Sequence, residues 1–271
     1  MANSTPEGVV THSRFSTTIP LDHLTPKYLK DNYHPGIKLT GSDNQELSDD
    51  WYNEQIANAI DKVESFTNVD ILERSVKSEK HDYAVTDYTR YGFLQLYRVP
   101  SRSVQEVRAV YPTGNNIQIF PPEWIRLNQM HSQINLVPTA GSLSQVIIGQ
   151  GADFIPLIFA KLSYLPHLWE VDYVSGFDPE AIPRLVIESI CKYAIMDIFT
   201  TMSDTIYPLG IGSQSLSIDG LSQSRSFSMP AFKARVDRYT ADLGLPGTPS
   251  EKSGLINQIR SNYLGINLAS L

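Results

Sequence analysis

At 271 residues, 41% of them apolar, the chain can bury one large core or two small ones. Its charged fraction of 19% lies below the ~25% of ordinary globular domains, so Ser, Thr, Asn, Gln and Tyr must cover much of the surface. A formal net charge of −7, with no basic run, weighs against a dedicated grip on nucleic-acid phosphates. The single cysteine, Cys191, excludes a disulfide framework or a thiolate metal site within one chain. The longest apolar run, 154–160, contains Pro156 and is far shorter than the ~20 residues that span a bilayer. With no basic-then-apolar leader pattern, the expectation is a soluble chain made in a reducing cytoplasm, with no membrane contact.

Residues 1–47 are rich in Thr, Ser, Pro, His and Asn, and Pro6, Pro20, Pro26 and Pro35 are expected to break any helix. This reads as an extended N-terminal arm, with Phe15, Tyr28 and Tyr33 as anchors for docking on a partner. Residues 48–67 predict a helix. Ser48 or Asp49 caps it, and Tyr52, Ile56, Ala59, Ile60, Val63 and Phe66 recur on one face. Asn68 suits a left-handed stop.

From 76 to 178 the periodicity becomes two. Strands are expected at 81–85, 93–99, 103–111, 116–120, 123–128, 133–138, 145–149 and 168–174. Gly114 and Asn115 mark a hairpin turn, and Pro100, Pro121, Pro122 and Pro138 fall at strand ends. The region reads as a mostly antiparallel β domain.

Residues 176–184 form a strand-to-helix junction in which Asp178 is expected to cap and Pro183 to occupy a first turn. The helix that follows, 182–204, is apolar nearly all round except for a line of Arg184, Glu188 and Lys192. A helix of that kind is buried on most sides. Leu185, Ile190, Ile195, Ile198 and Phe199 are expected to carry self-association. The serine-rich loop 205–228 is too regularly punctuated by apolar residues for a flexible linker. Leu216, Ile218 and Leu221 are expected to pin it as an extended segment across a neighbour. A helix is predicted at 229–243, with Pro230 at its start and Gly244 after its end. The tail, 244–271, opens as a Pro/Gly linker and ends weakly amphipathic, with Leu255, Ile259 and Tyr263 placed to dock on a partner.

No catalytic constellation emerges. The six histidines are scattered and read as surface or turn residues, and Cys191 lies among apolar neighbours as an inert thiol. Gly149-Gln150-Gly151 and Gly210-Ile211-Gly212 lack the strand-to-helix setting of a phosphate loop. Asp172, Asp178 and Asp219 are lone carboxylates explained by caps and turns. No catalytic residue, cofactor or metal is expected.

The order of elements resembles the head–tail connector, or neck adaptor, family of tailed bacteriophages. Pro100, Val104 and Val107 match a strand signature of that family. Val171, Tyr173, Gly176, Phe177, Asp178, Ile182 and Pro183 match its strand end leading into a long helix. The serine-rich loop also looks like a segment of phage neck subunits. The resemblance covers about 48–228; the β region, the arm and the C-terminal additions exceed the short members of that family. It implies a non-enzymatic virion subunit, a dodecameric ring beneath the portal protein, joined below to a tail-completion or stopper protein. Such a ring passes DNA without sequence-specific binding. The fold expected is α+β: a helical bundle from 48–75 and 179–243, a large antiparallel β insertion at 76–178, and extended arms at 1–47 and 244–271. The alternatives are another tail or baseplate subunit, or a carbohydrate-binding or host-surface module using Trp124, Trp169 and Tyr173.

Overall fold

The structure is a computed structural model that describes residues 18–40, 45–86, 93–110, 116–137, 163–206, 213–218, 221–226 and 232–264; at 116–117, 203–206, 213–218 and 221–226 it fixes the backbone only. The fold is α+β, built on two hydrophobic cores, one helical and one of sheet.

The helical core begins in the segment expected to be an extended arm. A short strand, β1 (Thr18–Ile19), pairs antiparallel with β9 (Ile182–Pro183). Helix α1 (Pro26–Tyr33) follows a 3-10 turn at Leu21–His23. Pro26 does not break this helix. It occupies the first turn, where its missing N–H has no partner to lose, and Thr25 caps by accepting from the Tyr28 amide at 3.1 Å. Leu29 and Leu39 are buried, so residues 18–40 are part of the core. Phe15 lies outside the described residues.

Helix α2 (Asp49–Thr67) follows its sequence signals closely. The Ser48 hydroxyl accepts from the Trp51 amide at 3.3 Å, Asp49 and Asp50 sit at the positive end of the dipole, and Asn68 ends the helix at φ 55°. Its buried face is Tyr52, Ile56, Ala59, Ile60 and Val63.

The sheet region holds β2 (Arg74–Ala84), β3 (Leu94–Gln95), β4 (Ser101–Val110), β5 (Asn116–Ile119), β6 (Ile125–Asn128), β7 (Gln133–Leu136) and β8 (Tyr164–Ser175). They form a four-stranded sheet of order β2-β8-β4-β5 and a three-stranded sheet of order β3-β7-β6. Every pairing among the described residues is antiparallel. Seven of the eight expected strands are thus found; 145–149 lies outside the described residues. The sheet core gathers Tyr83, Phe120, Trp169 and Tyr173, with Phe120 and Trp169 ring centroids 5.6 Å apart.

Helix α3 (Arg184–Ile206) forms the axis of the bundle. Helices α1, α2, α4 (Lys233–Leu243) and α5 (Leu255–Tyr263) all pack on it. Helix α4 ends on Gly244 at φ 66°, and a Cβ on Gly244 would collide with the backbone of Gly254. That close approach folds the expected linker into a compact turn, which returns α5 to the bundle. Between α3 and α4 the serine-rich segment forms a hairpin, β10 (Ser213–Ile218) with β11 (Leu221–Ser226).

Candidate functional site

The residues expected to carry self-association are mostly inside the chain. Ile190, Ile195, Ile198 and Phe199 have no exposed surface, and Cys191 and Ala194 between them have none either. Phe199 stacks on Phe232 with ring centroids 4.6 Å apart, and His34 meets its edge at 6.3 Å. Tyr193 packs on Phe66 at 5.9 Å. The apolar helix is therefore covered by helices of its own chain, which corrects the expectation that a neighbouring copy covers these four positions. The physical reason is that α1 and α5, read from sequence as outward-reaching arms, turn back onto it. Leu185 keeps partial exposure.

The docking residues follow the same pattern. Tyr28, Tyr33 and Leu255 are partly buried against the bundle, and Ile259 and Tyr263 belong to its core. Phe177 meets Tyr263 edge-on at 5.1 Å. The Tyr239 hydroxyl donates to the Tyr33 carbonyl at 3.3 Å. Leu216, Ile218 and Leu221 are placed by backbone on the hairpin, and their side chains lie outside the described residues.

The polar line of α3 is a joint between helices. Lys192 bonds to Glu188 at 2.9 Å and to Asp242 of α4 at 2.8 Å. Burial pushes the Lys192 ammonium down, but bonds to Asp242 and Glu188 outweigh it and raise its pKa. The Cys191 thiol is pushed up to about 12 by burial, which leaves it inert at neutral pH.

A chain of polar groups unannounced by sequence pattern joins the sheet to the bundle. Buried Asp70, just after α2, accepts from Arg98 Nη1 at 2.9 Å and from the Ser175 hydroxyl at 2.6 Å. The Arg98 amide donates to the Tyr173 hydroxyl at 3.2 Å, and that hydroxyl donates to Glu79 Oε2 at 2.6 Å. Glu79 Oε1 lies 2.8 Å from His81 Nε2 and accepts from the Tyr97 amide at 3.0 Å. The His81 ring lies against Tyr97, tilted by 35°, with centroids 4.3 Å apart. Burial raises the Glu79 carboxyl, but bonds from His81, Tyr173 and Tyr97 overcome it and hold the carboxyl below its ordinary range. Burial and then the bond to Glu79 raise Tyr173, so its hydroxyl remains a donor.

Backbone bonds run beside this network. The Asp70 amide donates to the Val99 carbonyl at 2.7 Å, Gly176 to Pro100 at 2.9 Å, and Phe177 to Ile71 at 3.2 Å. Gly176 sits at φ 100°, and a Cβ there would strike the Leu72 carbonyl.

Asp172 is paired rather than lone: Arg108 bridges it at 3.2 Å, Glu170 at 3.1 Å and Glu106 at 2.9 Å across β4 and β8. Asp178 does not cap α3. Its Oδ1 accepts from the Glu180 amide at 3.2 Å, ordering the turn before β9. His34 and His81 are buried, contrary to the expectation of surface histidines. His34 Nδ1 lies 3.2 Å from the Ile37 carbonyl and its Nε2 lies 3.3 Å from the Tyr52 hydroxyl. Among the described residues no three His, Cys, Asp or Glu side chains gather as a metal site. Trp169 and Tyr173 are wholly buried and Trp124 is partly so, which removes the aromatic platform a sugar-binding surface would need. No helix among the described residues is long and apolar enough to cross a membrane.

No family model and no curated protein matches the chain. Solved structures do align with it. The neck of an empty gene transfer agent (GTA) particle, computed with C6 symmetry, is 16% identical over 83% of this chain and 93% of that one, with a TM-score of 0.35. A chain from the virion of a native GTA particle is 17% identical over 83% and 93%, with a TM-score of 0.33. The neck of a native GTA particle, computed with C12 symmetry, is 15% identical over 83% and 92%, with a TM-score of 0.35. These alignments span most of both chains at loose geometric agreement.

The arrangement offers joints and covered helices, and the polar side chains of the junction bond to one another. The sheet-to-bundle junction is the feature sequence reading passed over. Its members are spread from Asp70 to Ser175, so no local spacing marks them.

Proposed function

We propose that the chain is a structural subunit of a phage-like neck: a head–tail adaptor that forms a ring below the portal and continues the DNA channel to the tail. The observation that carries this reading is the meeting of both family-like signatures at one junction. Val104 pairs with Tyr173 and Val107 with Val171 along β4 and β8. The Gly176 amide then bonds the Pro100 carbonyl, and Phe177, Ile182 and the start of α3 continue into the bundle. The residues that resemble the adaptor family are thus those that fix sheet to bundle, which is what a shared architecture would require. In this reading the ring contacts the portal above and a tail-completion or stopper protein below. Its acidic, weakly charged chain lets DNA slide, because clustered Lys and Arg are what generate phosphate affinity. Its place is the virion, and its role is not enzymatic.

Native mass measurement and particle images of the purified chain test the proposal. A closed ring of about twelve copies, the symmetry the family resemblance implies, supports it. A stable trimer, or a monomer at every concentration and in the presence of portal, refutes it.

A further inference from the structure

A two-stranded ribbon standing alone is marginally stable in water. The β10–β11 hairpin is such a ribbon: its ladder runs from Ser213↔Ser226 to Ile218↔Leu221, and among the described residues neither outer edge pairs with another strand. Register sorts its composition. Pairs 213/226, 215/224 and 217/222 alternate with 214/225, 216/223 and 218/221, and alternate pairs share a face. The first face is serine at all six positions. The second holds Leu216, Ile218 and Leu221 with Gln214, Gln223 and Arg225. A one-residue slip between the strands would mix the two sets, so the pattern specifies register.

The hairpin's place in the chain is between two packed helices. It leaves α3 and returns to α4, and these helices are clamped by the Phe199–Phe232 stack at 4.6 Å and the Lys192–Asp242 pair at 2.8 Å. A ribbon with both edges open is an element suited to strand addition.

We propose that β11 of one copy pairs antiparallel with β10 of the next, so that the hairpins of a ring close into one continuous barrel. This rests on the ring reading above. The occupant of each edge is a second copy, for reasons the register supplies. In a cyclic ring all hairpins point the same way, so β11 and the neighbouring β10 run antiparallel without further adjustment. Pairing in the hairpin's own register, or shifted by an even number of residues, sets serine positions against serine positions and keeps Leu216, Ile218 and Leu221 together on the other wall. Closure also removes every open edge. The size is compatible: twelve copies with two strands each, spaced about 4.8 Å, give a circumference of about 115 Å and a bore of roughly 37 Å before tilt, wide enough for duplex DNA.

The test mixes two forms of the full chain. One carries Ser215→Cys. The other carries Ser222→Cys, Ser224→Cys or Ser226→Cys, which together cover the hairpin's own register and a shift of two either way. No chain then holds both cysteines, and native Cys191 is wholly buried. After assembly and mild oxidation, one of the three mixtures yields disulfide-linked dimers containing up to about half of the chains, the limit for random mixing in a closed ring. Neither form alone yields them. Rings that form normally but give no dimer in any mixture overturn the barrel and leave the ring reading standing. If the unsubstituted chain forms no ring, both fall. Hydrogen exchange on the unsubstituted chain is a second measure: amides of 213–218 and 221–226 gain protection on ring formation if the edges pair, and stay unprotected if they do not.

Discussion

Replacing Phe199 separates a core role from an interface role. The ring has no exposed surface, lies face to face with Phe232 at 4.6 Å, and meets His34 in a T-shaped contact. Phe199→Ala therefore removes a fully buried ring and leaves a cavity walled by α1 and α4, at a cost of about 3–5 kcal/mol. Against a typical domain stability of about 5–15 kcal/mol, that is about a fifth or more of the total. With a urea m-value near 3 kcal/mol/M, a 4 kcal/mol loss moves the unfolding midpoint down by about 1.3 M. Phe199→Leu keeps most of the volume and costs about 1–1.5 kcal/mol. Because no atom of Phe199 reaches the surface, Phe199→Leu should leave assembly unchanged at concentrations where the chain is folded. The reasoning fails if Phe199→Ala shifts the midpoint by less than about 0.3 M. It also fails if Phe199→Leu abolishes assembly while the monomer keeps its stability, since only an interface position behaves that way.

Gly176→Ala should destabilise by about 2–4 kcal/mol, from a positive φ added to a clash with the Leu72 carbonyl; a denaturant midpoint within error of the unsubstituted chain would contradict this. Glu79→Gln weakens three bonds to a charged acceptor and should cost about 1.5–3 kcal/mol. Because the folded Glu79 carboxyl sits below its ordinary 4.5, its contribution is present above that pH and lost as pH falls through the folded value, so the Gln variant should show a shallower acid-side decline. Burial lowers the His34 pKa from 6.5, so the unfolded chain binds the proton more readily and stability falls as pH drops below about 6.5. His34→Gln should flatten that part of the thermal-stability profile, and an unchanged slope would remove His34 as its source. The amides of Asp70, Gly176 and Phe177 should exchange with solvent as slowly as those at the centre of α3, as read by hydrogen-exchange mass spectrometry or NMR; fast exchange at all three would mean the junction opens independently of the cores.

What could be read from sequence was what depends on neighbours in the chain. Helix α2 announced its start, buried face and stop because Ser48, the Tyr52-to-Val63 spacing and Asn68 each act within a turn or two. Strands were legible from two-residue alternation, since half-buried sheets impose it. Helix α1 is hidden in the sequence because Pro26 suggests a breaker, whereas Thr25 before it supplies a cap that makes a first-turn proline favourable. The all-round apolarity of α3 was read correctly as burial, but periodicity does not say whether the cover comes from the same chain. That depended on Gly244 and Gly254 meeting to fold α5 back, a contact set by tertiary geometry. Asp172 and Asp178 look alike in sequence, and only tertiary geometry brings Arg108 to the first, while the second accepts from the Glu180 amide and lies 3.5 Å from Arg102.

The junction ties the two cores of the chain to each other. For the sheet to swing, the backbone bonds of Asp70, Gly176 and Phe177 must break together with the carboxylate bonds of Asp70 to Arg98 and Ser175. At about 1 kcal/mol for each neutral bond and about 1.5–3 for those to a carboxylate, the sum is comparable to the stability of a whole domain. Breaking them would also leave Asp70, a buried carboxylate, without its side-chain donors, which costs more than the bonds themselves contribute. The side-chain bonds further run in series from Asp70 through Arg98 and Tyr173 to Glu79, so that losing one member disturbs the orientation of the next. A load applied to the sheet is therefore passed into α2 and α3 rather than absorbed at a hinge.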